Sequence, residues 1–231
     1  MCIRDRLWDK GNNVFYIAGE RLGSATQQEL SQFIGAYVRP RALAERSAHF
    51  KVHALSAAIE QRCARLFGAI ALHEMPTLFY GFAQAQPASV PIPAIAGLRF
   101  EPIDRELLHE SHLENSARVR GEIQWMWPAE DEFYTQGFGC AAIVDQLIVG
   151  WCTSEYVSPT RCGIGIETIA KYERRGVATA LASQFAQTAF ERGIEPFWEC
   201  RSANAGSIRV AEKVGFTLLA EERYWAGMFS S

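Results

Sequence analysis

Ile164-Gly-Ile-Glu-Thr-Ile-Ala-Lys-Tyr-Glu-Arg-Arg-Gly-Val-Ala-Thr179 runs as a strand into a short turn and straight on into a helix. Apolar residues alternate through Cys162, Ile164 and Ile166, and a helical apolar face begins at Val177 and continues through Leu181, Phe185 and Ala189. A helix start presents backbone N–H groups without intrahelical partners, at the positive end of the helix dipole. Gly176 and Ala178 lack bulk, so a diphosphate can approach the backbone from Arg175 to Thr179. Arg174 and Arg175 add charge for phosphate oxygens. By itself this block also fits a solvated structural loop, because many loops read Arg-Arg-Gly before a helix.

A second block begins twenty-eight residues after Gly176: Asn204-Ala-Gly-Ser207-Ile208, then Ala211-Glu-Lys213 and Gly215-Phe216. In this order and at this separation, the two blocks resemble the acetyl-CoA signature of the GNAT superfamily of N-acetyltransferases, over roughly Leu98 to Phe229. The family's first block, Gln/Arg-x-x-Gly-x-Gly/Ala, falls on Glu173, Gly176 and Ala178. Its second block falls on Asn204, Ser207, Ile208, Lys213, Gly215 and Phe216. Cys152-Thr-Ser-Glu-Tyr156, Gly165-Ile-Glu-Thr168 and Trp198-Glu-Cys200 resemble, more narrowly, a bacterial GNAT subgroup with a degenerate N-terminal α/β half.

The resemblance implies an α/β (α+β) fold with a mixed, mostly antiparallel sheet flanked by helices. It implies transfer of acetyl from acetyl-CoA, the acyl-donor substrate, to an amine, here expected to belong to a small molecule. It places the diphosphate on Arg174, Arg175, Gly176, Val177, Ala178 and Thr179. The pantetheine arm would pair with the backbone at Thr168 and Ile169 and lie near Asn204 and Ser207. No metal is implied. Two positions depart from the family: Glu173 stands where Gln or Arg is usual, and Ala211 replaces a tyrosine that often protonates the leaving thiolate. The first departure puts a negative charge beside the diphosphate. The second puts the general acid in doubt but not the reaction class, since a thiolate of pKa about 8.5 leaves without help.

Acylation needs a neutral amine, and a primary alkylamine with a pKa of about 10 must first lose a proton. Glu199 is the first candidate for that base. It lies on the strand before Asn204, flanked by Phe197, Trp198 and Cys200, at the spacing of the base in relatives that resemble ribosomal-protein N-terminal acetyltransferases. Glu167 is the second, although strand alternation sets it opposite Cys162, Ile164 and Ile166. Trp125, Trp127, Phe133, Tyr134, Trp151, Tyr156, Tyr224 and Trp225 are candidates to line an acceptor pocket or to be core.

The 231 residues are 48% apolar and 21% charged with net charge −3, so nothing pushes the chain toward nucleic acid or an anionic membrane. No run reaches the roughly 18 apolar residues that span a bilayer, and no secretory h-region follows the start. The expectation is a cytoplasmic protein with free thiols at its six cysteines. The histidines make no metal-ligand spacing. There is no Gly-x-x-x-x-Gly-Lys-Ser/Thr for a P-loop, and no Gly-x-Gly-x-x-Gly for a Rossmann site.

Ala83 to Gly97, rich in Pro and Ala, reads as an extended linker. It separates a small α/β domain at residues 1–82 from a GNAT domain at residues 98–231. Met1 to Arg6 carries no periodicity and reads as foreign to the chain. In the first domain Val14–Ala18, closed by Gly19, Phe50–His53 and Leu78–Tyr80 read as strands. Gln27 to Val38 reads as a helix with Leu30, Phe33, Ile34 and Tyr37 on one face, and Leu55, Ile59, Cys63, Leu66 and Phe67 as a second helix. No polar constellation marks a cofactor there. In the second domain strands are expected at Leu98–Pro102, Phe138–Val144, Leu147–Tyr156, Cys162–Thr168, Glu195–Cys200, Thr217–Leu219 and Tyr224–Phe229. Helical segments are expected between Arg105 and Trp127, from Val177 to Arg192 and from Ala205 to Val214. A non-catalytic acyl-CoA-binding regulatory module and a protein or peptide N-acetyltransferase remain open as rival functions, and a homodimer remains open as an assembly.

Overall fold

The computed structural model describes residues 6–9, 14–17, 24–44, 48–54, 60, 65–68, 70–83, 87–109 and 112–229. Met1 to Asp5, the expected strand stop at Gly19 and the expected helix positions Leu55, Ile59 and Cys63 lie outside these residues. The chain divides into two units, Met1–Thr77 with Glu222–Ser231, and Leu78–Glu221.

In the first unit β1 (Arg6–Asp9) pairs antiparallel with β2 (Val14–Ile17). The helices α1 (Ser24–Phe33) and α2 (Arg39–Ala44) follow, then β3 (His49–Ala54), parallel to β2. A π-helical turn at Ile34–Val38 joins α1 to α2. The wider turn shifts the buried face: Leu30, Ile34 and Val38 are core, whereas Phe33 and Tyr37, expected on that face, are 39% and 51% exposed. The core centres on Phe50, stacked between Phe67 at 4.7 Å and Phe229 at 4.4 Å, with the edge of Phe15 at 5.7 Å.

The strands β4 (His73–Phe82) and β11 (Phe216–Met228) run through the unit boundaries. The two strands expected at Thr217–Leu219 and Tyr224–Phe229 are one, because the polar stretch between them continues an exposed face and makes no turn. Tyr224 to Met228 pairs with His53 to His49 of β3.

The second unit holds a sheet in the order β5-β6-β7-β8-β9: Leu98–Pro102, Gly139–Val144, Leu147–Glu155, Arg161–Thr168 and Glu195–Pro196. The short strand β10 (Trp198–Arg201) lies beside β4, whose other neighbour is β11. The hairpin expected around Asp145-Gln146 forms, with Val144 opposite Leu147. Its register slips between Ala142 and Ile143, so Ile148 and Trp151 face one side of the sheet while Val149 and Cys152 face the other.

One face packs on α6 (Val177–Glu191), where Leu181, Phe185 and Ala189 meet Cys140, Ala142, Val149, Cys152 and Cys162. Phe138 stacks on Phe185 at 4.7 Å. Cys140, Cys152, Cys162 and Cys200 are buried free thiols. Burial pushes those of Cys140 and Cys162 up to about 12. The opposite face is covered by α3 (Arg105–His109), α4 (Ser116–Met126) and α5 (Glu130–Gln136), through Leu107, Leu108, Val119, Ile123 and Phe133. No helix among the described residues is long and apolar enough to cross a membrane.

Glu130 ties these three helices together. It accepts hydrogen bonds from Arg120 (Nε, 3.2 Å) and Gln124 of α4 and lies 3.0 Å from His109 Nε2 of α3. Burial alone would raise its pKa, but the hydrogen bonds from Arg120, Gln124 and His109 outweigh it and bring the carboxyl down to about 2. A carboxyl lowered on folding stabilises the native state above its ordinary value of 4.5, and the contribution is lost as pH falls toward about 2. Glu130→Gln should therefore cost about 2–3 kcal/mol at pH 7 and almost nothing near pH 2. Urea denaturation of both proteins across that range measures it, and a pH-independent difference contradicts the staple.

Candidate active site

The site begins where two strands part. β8 pairs with β7 along its length, from Glu155 opposite Gly163 to Gly150 opposite Thr168. On its other edge it pairs, in parallel, only at Arg161 with Glu195 and Cys162 with Pro196. Phe197 N–H to Cys162 O, 2.9 Å, is the last rung. Trp198 then enters β10, in the other sheet, and the strands diverge. The Ile169 amide donates to Val149 O at 3.0 Å, which fixes the parity of β8. Residues 165, 167 and 169 turn their amides to β7, and Ile164, Ile166 and Thr168 turn theirs into the gap.

A cleft of about 480 Å³ fills this gap. Ile166, Glu167 and Thr168 form one wall. The turn and helix start from Tyr172 to Thr179 close one end. Trp198 and α7 (Ala205–Val214) form the facing wall, through Asn204, Ser207, Arg209, Val210 and Lys213. At the closed end Gly176 is the N-cap of α6, with φ +88°, a left-handed conformation that favours glycine. No side chain caps the helix and no acidic residue lies in its first turn. The amides of Val177, Ala178 and Thr179 therefore have no intrahelical acceptor, and they face a cleft that also holds Arg174, Arg209 and Lys213. An anionic group bearing several oxygens fits this end. Thr168 Oγ1 is buried at the cleft wall without a hydrogen-bond partner, so the wall itself offers an unused polar group.

The facing wall is built by capping. Asn204 Oδ1 accepts from Ser207 N at 3.1 Å and so starts α7, while Ser207 Oγ accepts from the Trp198 indole at 2.9 Å. Arg209 and Lys213, four residues apart, share one helix face, and both line the cleft along with Ser207. Ala211, four residues after Ser207, is fully buried in the core with Trp198 and Phe216.

Of the residues expected from sequence, Glu167, Thr168, Arg174, Gly176, Val177, Ala178, Thr179, Asn204 and Ser207 come together in this cleft, as does the unusual Glu173. Three others are not among the residues that line it. The Ile169 amide is bonded to β7, and the Arg175 guanidinium lies over the Tyr172 ring, 5.0 Å from its centroid. Glu199 is exposed on β10 between the buried Trp198 and Cys200. Among the aromatics, Phe133 and Trp151 are core, and Tyr224 and Trp225 belong to the first unit. Tyr172 and Arg209 were not singled out in the sequence, and Trp198 was named there only within the Trp198-Glu-Cys200 motif and as a neighbour of Glu199. The spacing Ser207, Val210 and Lys213 along α7 was the one available signal for that wall.

Above β7 and β8, on the α4 side, charged groups gather. Arg118 pairs with Glu167, and its guanidinium lies 5.4 Å from the Trp151 ring centroid. The Trp151 indole donates to Glu122 Oε2 at 2.7 Å. A larger cavity, about 740 Å³, lies in the first unit and is lined mainly by apolar groups such as Ile34, Leu66, Phe67 and Phe229. It contains none of the residues of the two sequence blocks. Among the described residues no group of three or more His, Cys, Asp or Glu is placed to hold a metal.

Comparison with known proteins agrees with this geometry. The family model described as GNAT acetyltransferase matches residues 83–224. The chain is 32% identical over 132 residues to an uncharacterised N-acetyltransferase, YdfB, of Bacillus subtilis. That match covers 57% of this chain and 49% of YdfB, so the chain spans about half the length of this curated relative. Solved structures show the same fold. A GCN5-related N-acetyltransferase-like protein from Streptococcus suis aligns with a TM-score of 0.61 at 17% identity, covering 93% of this chain and 79% of that one. A GCN5-related N-acetyltransferase from Kribbella flavida aligns with a TM-score of 0.61 at 12% identity, covering 99% and 90%.

Thr168 supplies a sensitive test of the cleft. Thr168→Val removes a buried hydroxyl that has no partner, so thermal stability should stay level or rise. If acetyl-CoA is the ligand of this cleft, its affinity should fall about three- to tenfold, the net worth of one hydrogen bond. A loss of stability together with unchanged affinity, read by calorimetry, would place the donor elsewhere.

Proposed function

Because the chain belongs to the GNAT acetyltransferase family, we propose that it transfers an acetyl group from acetyl-CoA to the amine of a small molecule. The observation that carries this reading is the cleft between the parting strands, closed at one end by the uncapped start of α6 at Gly176. The amides of Val177, Ala178 and Thr179 would hold the diphosphate, with Arg174, Arg209 and Lys213 supplying positive charge. The outward-turned amides of Ile166 and Thr168 form an open strand edge, and an extended amide-bearing arm can pair with it as a further strand would. Asn204 and Ser207 shape the opposite wall.

The reaction forms a C–N bond as the amine nitrogen attacks the thioester carbonyl carbon, and breaks the C–S bond as the thiolate leaves. A carboxylate must hold the ammonium proton. Glu167 stands on the cleft wall and Glu199 on the strand opposite, and they are the two candidates for that base which the sequence offers. Glu173 adds a negative charge at the diphosphate end. Since backbone N–H groups do most of the holding, binding survives it. Residues 14–82 enter the proposal as a structural unit without a cofactor, and the cytoplasm as the working compartment.

Calorimetry with acetyl-CoA and thiol release over a panel of polyamines, amino acids, aminoglycosides and peptides test the reading. Gly176→Asp should abolish acetyl-CoA binding, since it adds bulk, like charge and a disfavoured φ, and it should leave the fold intact by circular dichroism. Unchanged affinity in the folded variant overturns the site. Tight binding without thiol release from any amine favours a regulatory acyl-CoA-binding module, and release only with peptides favours a protein-modifying enzyme.

A further inference from the structure

Glu122 belongs to neither sequence block, yet the structure holds its carboxylate at the centre of the α4 side of the sheet. Trp151, fully buried on β7, donates its indole N–H to Glu122 Oε2 at 2.7 Å. One oxygen is thereby anchored and the other, Oε1, reaches toward β8. A Cβ built on Gly165 would stand 3.0 Å from Glu122 Oε1 and 3.0 Å from Thr153 Oγ1, and would collide with Glu155 Oε1. Only glycine leaves this space. Ile166, Glu167 and Thr168, the β8 residues on the cleft wall, follow Gly165 directly. Glu122 does not itself line the cleft; its Oε1 stands over Gly165, the residue before that wall, on the face of β8 that carries the Glu167 side chain.

We propose that Glu122 is the base that takes the proton from the acceptor ammonium, with Trp151 as the residue that positions it. This rests on the transferase reading above. One ammonium proton passes to the Glu122 carboxylate, and the neutral nitrogen attacks the thioester carbonyl carbon. The C–N bond forms and the C–S bond breaks. The departing thiolate takes up the second nitrogen proton through solvent, and Glu122 returns its own proton to solvent.

The other two carboxylates are less suited. Glu167 is engaged by the Arg118 guanidinium. Glu199 is exposed, with buried neighbours on either side along β10. The groups facing Glu122 are Glu155 from β7, Glu167 from β8 and Arg118 from its own helix. Burial raises its pKa, and Glu167 adds to the rise, against the indole hydrogen bond and Arg118. A glutamate raised above its ordinary value is a more effective base at neutral pH than one at that value. The three carboxylates also draw a cationic amine toward the wall.

The experiment measures kcat/KM against pH for thiol release from acetyl-CoA, with spermidine, benzylamine and a lysyl peptide as probe amines. Glu122→Gln keeps an acceptor for the indole and removes the basic oxygen. It should leave acetyl-CoA affinity unchanged and lower kcat/KM by about 10² to 10⁴ at pH 7, with the loss shrinking toward the amine's own pKa. Trp151→Phe removes a donor to the charged carboxylate and should move the acid limb of the profile to higher pH. Wild-type rates in Glu122→Gln, or an acid limb that survives in it, overturn the assignment while leaving the transferase reading standing. If Glu122→Gln fails to bind acetyl-CoA, the Trp151→Phe limb decides, and an unmoved limb overturns the proposal. A wild-type chain inactive with every amine overturns the transferase reading and this proposal with it.

Discussion

Once Phe197 has donated to Cys162 O, β8 has no further parallel partner. A strand edge with unpaired amides is costly if buried and a hazard if left bare. In this chain the edge is turned toward a cleft, and the other strand is pulled away because Trp198 and Cys200 anchor β10 in a separate core with Leu78, Tyr80 and Phe216. The opening thus lies where the strands part while Ile164 and Ile166 of β8 pack against both cores. Everything the site offers follows from that parting: a polar edge on one wall, a helix face on the other, and depth enough for a long ligand.

The same helix that seals the sheet also equips the cleft. Along α6, Leu181, Phe185 and Ala189 cover the sheet and hold the helix against β6, β7 and β8. Its first residue is thereby fixed at the closed end of the gap, and Gly176 leaves its amides uncapped by any side chain. The linker contributes there too, since Pro93 lies 3.5 Å from where a Gly176 Cβ would stand, and Ala88 N–H donates to Val214 O at 2.7 Å. Packing and binding therefore share one element, and a core substitution along α6 bears on both.

On the other face, the slip in register between β6 and β7 decides which side chains meet. It sends Trp151 to the α4 side, where its indole can meet Glu122, and keeps Cys152 on the α6 side. Glu130 holds α3, α4 and α5 as one layer, and so sets where Glu122 and Arg118 stand above β8. The gathering of charged groups above β8 is a property of that layer and that bulge together.

The glycine turn, the helix after it and the Asn204 block were legible in the sequence because each is a local pattern: a strand ended by Ile169, an N-cap without bulk, an apolar face at helical spacing. So were the hairpin at Asp145-Gln146 and the helix from Ala205 to Val214. The one long strand at Phe216–Met228, the π-helical turn that buried Val38 in place of Tyr37, and the division of Glu195–Cys200 into two strands of different sheets were not. Each is settled by what packs against the segment. Glu122 shows the limit most plainly: on a helix, a glutamate beside Gly121 reads as solvated surface. Only the tertiary structure brings it under the indole of Trp151 and against Gly165 of β8, because residues distant along the chain meet there through long-range packing, which sequence periodicity does not record.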